Sequence, residues 1–140
     1  MTLTMRLEVL TPDKNVLEAP TQSIQVLLPD GWWGILPGHS PMISYIEAGI
    51  LHYTQSDTTR YVAFYQGSIE VQRTSIEHTR VSILTAAAEE GEDLESVTSA
   101  LEEQAVKLAK LAKEANLEFN QLRLSLEKAL RESEITDGGL

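Results

Sequence analysis

Three histidines, and one serine that directly follows a histidine, are the groups with which this 140-residue chain could do acid–base or nucleophilic chemistry. Their spacing argues against it. His39 and Ser40 are neighbours, and neighbouring side chains on extended backbone point to opposite faces, so adjacency does not bring a base to a hydroxyl. No Gly-x-Ser-x-Gly elbow surrounds Ser40. His52 and His78 stand in separate strand or loop contexts with no carboxylate or thiol at ligand spacing, and the chain has no cysteine, so a zinc site is not expected. The sequence therefore predicts no catalytic, metal or cofactor-binding residue and no cofactor. A hydrolase or isomerase would need clustered groups that are not visible here.

The residues suited to make contacts rather than bonds are concentrated in one stretch, GWWGILPGHSP at 31–41, which carries three glycines, two prolines and both tryptophans. Such a loop is built to a shape: glycine admits positive φ, while Pro37 and Pro41 fix φ and push the preceding residues toward extended geometry. On extended backbone Trp32 and Trp33 face opposite sides, which leaves at least one against solvent or a partner, where tryptophan is a typical hot spot. His39 is read as holding its neighbours by hydrogen bonds.

The elements that position this loop follow from hydrophobic period. Up to position 88 the chain alternates with period two, broken by turn residues every eight to twelve positions. Segments 6–10, 16–19, 22–28, 42–47, 50–54, 60–65, 68–73 and 80–84 read as short strands. No helical period separates them, so the expectation is antiparallel sheets packed face to face. From 92 onward the period changes: Leu94, Val97, Leu101, Leu108, Leu111, Ala115, Phe119, Leu122, Leu126 and Leu130 recur at spacings built from three and four, the mark of amphipathic helix. Acidic Glu92, Asp93 and Glu95 at its start and Lys128 and Arg131 near its finish suit the helix dipole. A single rod would leave the apolar stripe uncovered, so two antiparallel helices folding back near 113–116 are expected, with an extended form accessible when a partner covers the stripe. The division is a β-sandwich at 1–88 and a two-helix hairpin with a frayed tail at 89–140.

Net charge bounds the partners. At −10 the chain lacks the clustered cations that nucleic acid or anionic lipid requires. About 13 acidic and 6 basic residues lie after position 88, against about 8 and 5 before it, so the C-terminal part presents a different surface. No apolar run approaches the roughly 20 residues that cross a bilayer, and no secretory leader is visible, so direct membrane insertion is not expected.

GILPGHSP followed by an apolar strand and EAGIL at 47–51, the opening LEVLTPDKNVLEAP, and VAFYQGSIEV at 62–71 together resemble the epsilon subunit of F-type ATP synthases. The resemblance implies a sandwich of about ten antiparallel strands with a C-terminal α-helical hairpin. It implies a non-catalytic rotor subunit on the central stalk, bound to the gamma subunit and the c ring during proton- or sodium-driven ATP synthesis. It further implies a peripheral location on the cytoplasmic or stromal side of an energy-transducing membrane. The loop residues it assigns to the c ring and gamma are Asp30, Trp32, Trp33, His39, Ser40 and Met42. The helices of many members extend into the alpha/beta catalytic head and brake hydrolysis, which points to Arg123, Lys128 and Arg131 as inhibitory contacts. The chain departs from the pattern in having Trp32 where the family often has an acid, and Gln66-Gly67 where a glycine pair is common. After Asp93 it lacks the Arg-Ala of members that bind ATP, so nucleotide binding is not predicted. A free-standing ligand-binding sandwich with a coiled-coil oligomerisation tail is the competing reading, and a stable trimer in isolation would favour it.

Overall fold

The structure, a computed structural model, describes residues 2–104 and, beyond them, 106, 107, 109–111, 113, 114 and 124. Alternating apolar residues form eight strands: β1 (Thr4–Leu10), β2 (Asn15–Pro20), β3 (Ile24–Leu28), β4 (Gly31–Ile35), β5 (Met42–Ile46), β6 (Gly49–Gln55), β7 (Thr58–Arg73) and β8 (His78–Gly91). A helix, α1, begins at residue 94 and is continuous through 104.

Two of these strands are long because each serves both layers. Residues 58–64 of β7 pair with β6, and residues 67–71 pair with β5. Residues 78–84 of β8 pair with β1, while β7 and β8 remain paired along nearly their whole length. One layer therefore reads β2-β1-β8-β7-β5 and the other β8-β7-β6-β3-β4. Eight segments, two of them used twice, fill ten strand positions. Segments 60–65 and 68–73, expected as separate strands, are one strand bent at a corner.

The corner needs a backbone that most residues avoid. Gln66 has φ 57° and Gly67 φ 146°, and the inward set changes parity there, from Val62 and Phe64 to Ile69 and Val71. The buried Thr85 hydroxyl accepts the Tyr65 N–H at 3.2 Å and lies 3.0 Å and 3.1 Å from the Tyr65 and Ala87 carbonyls. It satisfies polar groups where the ladder is interrupted.

One pairing departs from the antiparallel expectation: β1 runs parallel to β8. These are the first and last strands, so the connection between them is the rest of the sandwich and no crossover helix is required.

Between the layers, Met5, Leu7 and Val9 of β1, Ile24, Val26 and Leu28 of β3, and Leu51, Phe64, Ile69 and Ile83 form one continuous core. Burying each such aliphatic or aromatic side chain stabilises the fold by roughly 1.5–3 kcal/mol. A second, smaller cluster on the outer face joins Ala63 and Ala87 to Val97 and Leu101 of α1. Compact units separate at Ala105/Val106. Residues 113, 114 and 124 are helical; the rest of the expected fold-back and of the second helix lies outside the described residues.

Candidate functional site

The loop at 31–41 becomes β4 and its exit. Gly31, at φ 122°, turns the chain after Asp30 so that β4 pairs back on β3 with Leu27 opposite Trp32 and Val26 opposite Trp33. Val26 faces the core, so Trp33 lies on the inner side of its layer at the rim, while Trp32 lies on the outer side. The tryptophans do face opposite ways.

Each is held by a different neighbour. The Trp33 indole N–H donates to Asp30 Oδ1 at 2.8 Å, which closes the hairpin and fixes the ring. Trp32 stays 57% exposed and leans on His52 with ring centroids 5.8 Å apart, and His52 in turn meets Tyr61 at 6.1 Å. An aromatic row thus crosses the outer face from β4 through β6 to β7.

Beyond β4 the chain is pinned rather than loose. Gly38, at φ 88°, donates its N–H to the Thr79 hydroxyl at 2.8 Å, and the His39 N–H donates to the Leu36 carbonyl at 3.0 Å. His39 Nδ1 lies 2.7 Å from the Ser40 carbonyl. The histidine ties its own loop, as expected, and Ser40 is exposed without a base at its hydroxyl in these contacts. His78 is likewise engaged, against the Thr4 hydroxyl.

The six loop residues predicted for contacts do not form one site. Asp30, Trp33 and Met42 line a groove between the β3–β4 turn and β5, together with Leu28, Ile43 and Tyr45. Met42 points inward and packs against the core. Trp32 lies on the opposite side of the β4 layer, and His39 and Ser40 sit in the connection to β5.

Ile43 and Tyr45 were missed by sequence reasoning. They are 72% and 62% exposed, and Tyr45 stands across from Ser68, whose other neighbour is the exposed Leu84. The signal was present: Met42, Ser44 and Ile46 alternate inward, so large apolar Ile43 and Tyr45 must face out. β4 and β5 are also each paired on one side among the described residues, so the groove lies near free strand edges. This arrangement can bind a surface. It holds no constellation that would transfer a proton or a group.

The fold and this loop match a known protein family. The family model described as the ATP synthase Delta/Epsilon chain beta-sandwich domain matches residues 4–91. The chain belongs to the ATP synthase Delta/Epsilon family. Its relatives include the ATP synthase epsilon chain of Symbiobacterium thermophilum, 32% identical over 128 residues that cover 90% of this chain and 88% of the relative. The epsilon chain of Halalkalibacterium halodurans is 34% identical over 128 residues, covering 90% and 92%. Among solved structures, a chain of the Euglena gracilis mitochondrial ATP synthase (OSCP/F1/c-ring in rotational state 1) superposes with a TM-score of 0.56 at 23% identity, over 76% of this chain and 67% of that one. That likeness is one of fold. The match to the family model spans β1 to the end of β8, which is the part of the chain that carries the loop.

Proposed function

We propose that the chain is the central-stalk subunit of an F-type ATP synthase, joining the gamma subunit to the membrane c ring while other subunits carry out catalysis. The observation that carries this reading is the similarity to epsilon chains over 90% of this chain, which spans the sandwich and extends into the helical part. The site supports it, because exposed aromatic and aliphatic residues on a rigid sandwich suit a permanent protein partner better than a small molecule.

In this reading the contacts with gamma and the c ring come from Asp30, Trp32, Trp33, His39, Ser40 and Met42, with Ile43, Tyr45 and Leu84 added by their exposure. Trp32 supplies an aromatic contact where an acid is common. Arg123, Lys128 and Arg131, which lie outside the described residues, carry the braking contacts with the alpha/beta head. The subunit works at the membrane surface, on the cytoplasmic or stromal side, and no helix among the described residues is long and apolar enough to span a bilayer.

The test is capture of the gamma subunit from the same source by the purified chain. A one-to-one complex supports the assignment, and a chain that ignores gamma and assembles into a trimer overturns it. Replacing Arg123, Lys128 and Arg131 by glutamine should raise ATP hydrolysis by the assembled enzyme; unchanged hydrolysis would leave coupling without a brake.

A further inference from the structure

The outer face of the β8-β7-β6-β3-β4 layer carries an imidazole that neither the core nor the rim groove uses. His52 stands on β6 between its cross-strand partners, Gln25 of β3 and Tyr61 of β7. Trp32, on β4, reaches over β3 and brings its ring centroid to 5.8 Å from the imidazole, tilted at 48°, and Tyr61 stands on the other side at 6.1 Å and 52°. Gly34 helps to clear the way. It faces Gln25 across the β3–β4 ladder, and a Cβ there would meet the Gln25 amide at 3.1 Å. The Gln25 side chain thus leans toward β4, into space that a larger residue at 34 would take, and away from the imidazole.

The surroundings leave the charge of a protonated His52 to these two rings. From β3 it is faced by Gln25, from β4 by Trp32 and from β7 by Tyr61, whose phenol is the titratable group against it. Charged side chains of the same layer are engaged elsewhere. Arg60 pairs with Glu90 on the core side, beside the Tyr53 hydroxyl, and Glu89, across β7, is hydrogen-bonded to the Gln104 amide. Asp57 lies in the β6–β7 turn, and Asp30 is turned to the Trp33 indole. α1 is seated over Ala63 of β7 and Ala87 of β8, and its acids Glu95, Glu102 and Glu103 are exposed. Imidazole is the side chain that changes charge between about pH 5 and pH 8. Neutral, it gains from the tilted rings the modest attraction of an aromatic pair. Protonated, it gains cation–π attraction as well, for which tryptophan is the best ring and about 6 Å the reach.

We infer that His52 is the positioning residue for Trp32: it holds the exposed indole over β3, and holds it more tightly once protonated. The aromatic contact offered by the loop is therefore firmer on the acid side of neutrality. Only the consequence rests on the reading of Trp32 as a partner contact, namely that affinity carried by Trp32 rises as pH falls through the His52 titration. The arrangement itself belongs to the isolated chain.

Proton NMR titration of the full-length chain, following the His52 ring, tests this with no partner present. Trp32→Ala should lower the His52 midpoint by about 0.4 of a pH unit or more, the change that about 0.5 kcal/mol of cation–π attraction produces. Trp32→Phe, which keeps a ring, should lower it by less. The Trp32 indole signal should move with pH at the His52 midpoint in the wild type and stay still in His52→Gln, which does not titrate. A midpoint that is unchanged or raised in Trp32→Ala overturns the inference, as does a Trp32 indole that ignores the His52 titration. Amide shifts of β3 that match the wild type show that each variant is folded. Neither gamma nor the c ring takes part, so a failure here is separate from failure of the rotor assignment.

Discussion

Gly67 and the Leu84 carbonyl touch at the corner where β7 and β8 pass from one layer to the other, so closely that a Cβ on residue 67 would overlap the Leu84 oxygen. With φ at 146°, the residue also sits where only glycine is at ease. Gly67→Ala should therefore cost about 3 kcal/mol or more in a denaturant titration, combining backbone strain with a clash the paired strand cannot avoid. Gln66, with φ 57°, is a left-handed non-glycine residue, and Gln66→Gly should be neutral or stabilise by up to about 1 kcal/mol. A Gly67→Ala chain as stable as the wild type would mean that the corner can relax.

That corner shows what the sequence conveyed and what it withheld. The alternation of Leu7 and Val9, or of Ile24, Val26 and Leu28, follows from one buried face and is visible in the bare string. The continuity of β7 is not, because the parity of its inward residues flips at Gln66-Gly67 and a period-two reading breaks there. The parallel pairing of β1 with β8 joins residues over seventy positions apart, and no local pattern encodes it. For the site, opposite faces for Trp32 and Trp33 follow from adjacency alone. The groove that joins Trp33 to Ile43 does not, since it depends on how two strands from different layers meet at the rim.

Trp32 and Trp33 are predicted to differ in what they support. Trp33 is tied to Asp30 and shapes the groove, whereas Trp32 only leans on His52. Trp32→Ala should leave stability within about 0.5 kcal/mol yet weaken gamma or c-ring binding tenfold or more, about 1.4 kcal/mol. Trp33→Ala should lower both. Calorimetric titration with gamma and a denaturant curve on each variant separate the two effects, and unaltered affinity in both would remove the tryptophans from the interface.

Tyr53 provides an alkaline signature. Its ring is buried, and burial, followed by the charge of Glu90 that it hydrogen-bonds, pushes its pKa up from 10.0 to about 12. A raised pKa means that the folded state holds the proton more tightly than the unfolded one, so this contribution is complete below pH 10 and is lost as pH rises toward 12. Stability of the wild type should fall across that window. Tyr53→Phe should lose about 1 kcal/mol at neutral pH from the missing hydrogen bond and show a flatter alkaline slope. Equal slopes would assign the alkaline loss to other groups.

At the acid end the sign reverses. The Asp93 carboxylate accepts hydrogen bonds from the Ser96 hydroxyl and backbone N–H, which hold its pKa below the usual 3.8. A lowered pKa makes the capping contribution complete above about pH 4 and lost as pH falls through the folded value, because protonation removes the charge that the first helical turn faces. Exchange protection of 97–104 should accordingly decline as pH falls below the usual carboxylate range, ahead of the core strands. Asp93→Asn separates the cap from the charge, since asparagine caps a helix as well as aspartate but does not titrate. That variant should keep its protection at neutral pH and lose the acid dependence local to α1. If the acid dependence persists in Asp93→Asn, the Asp93 cap does not govern how the helix comes away at low pH.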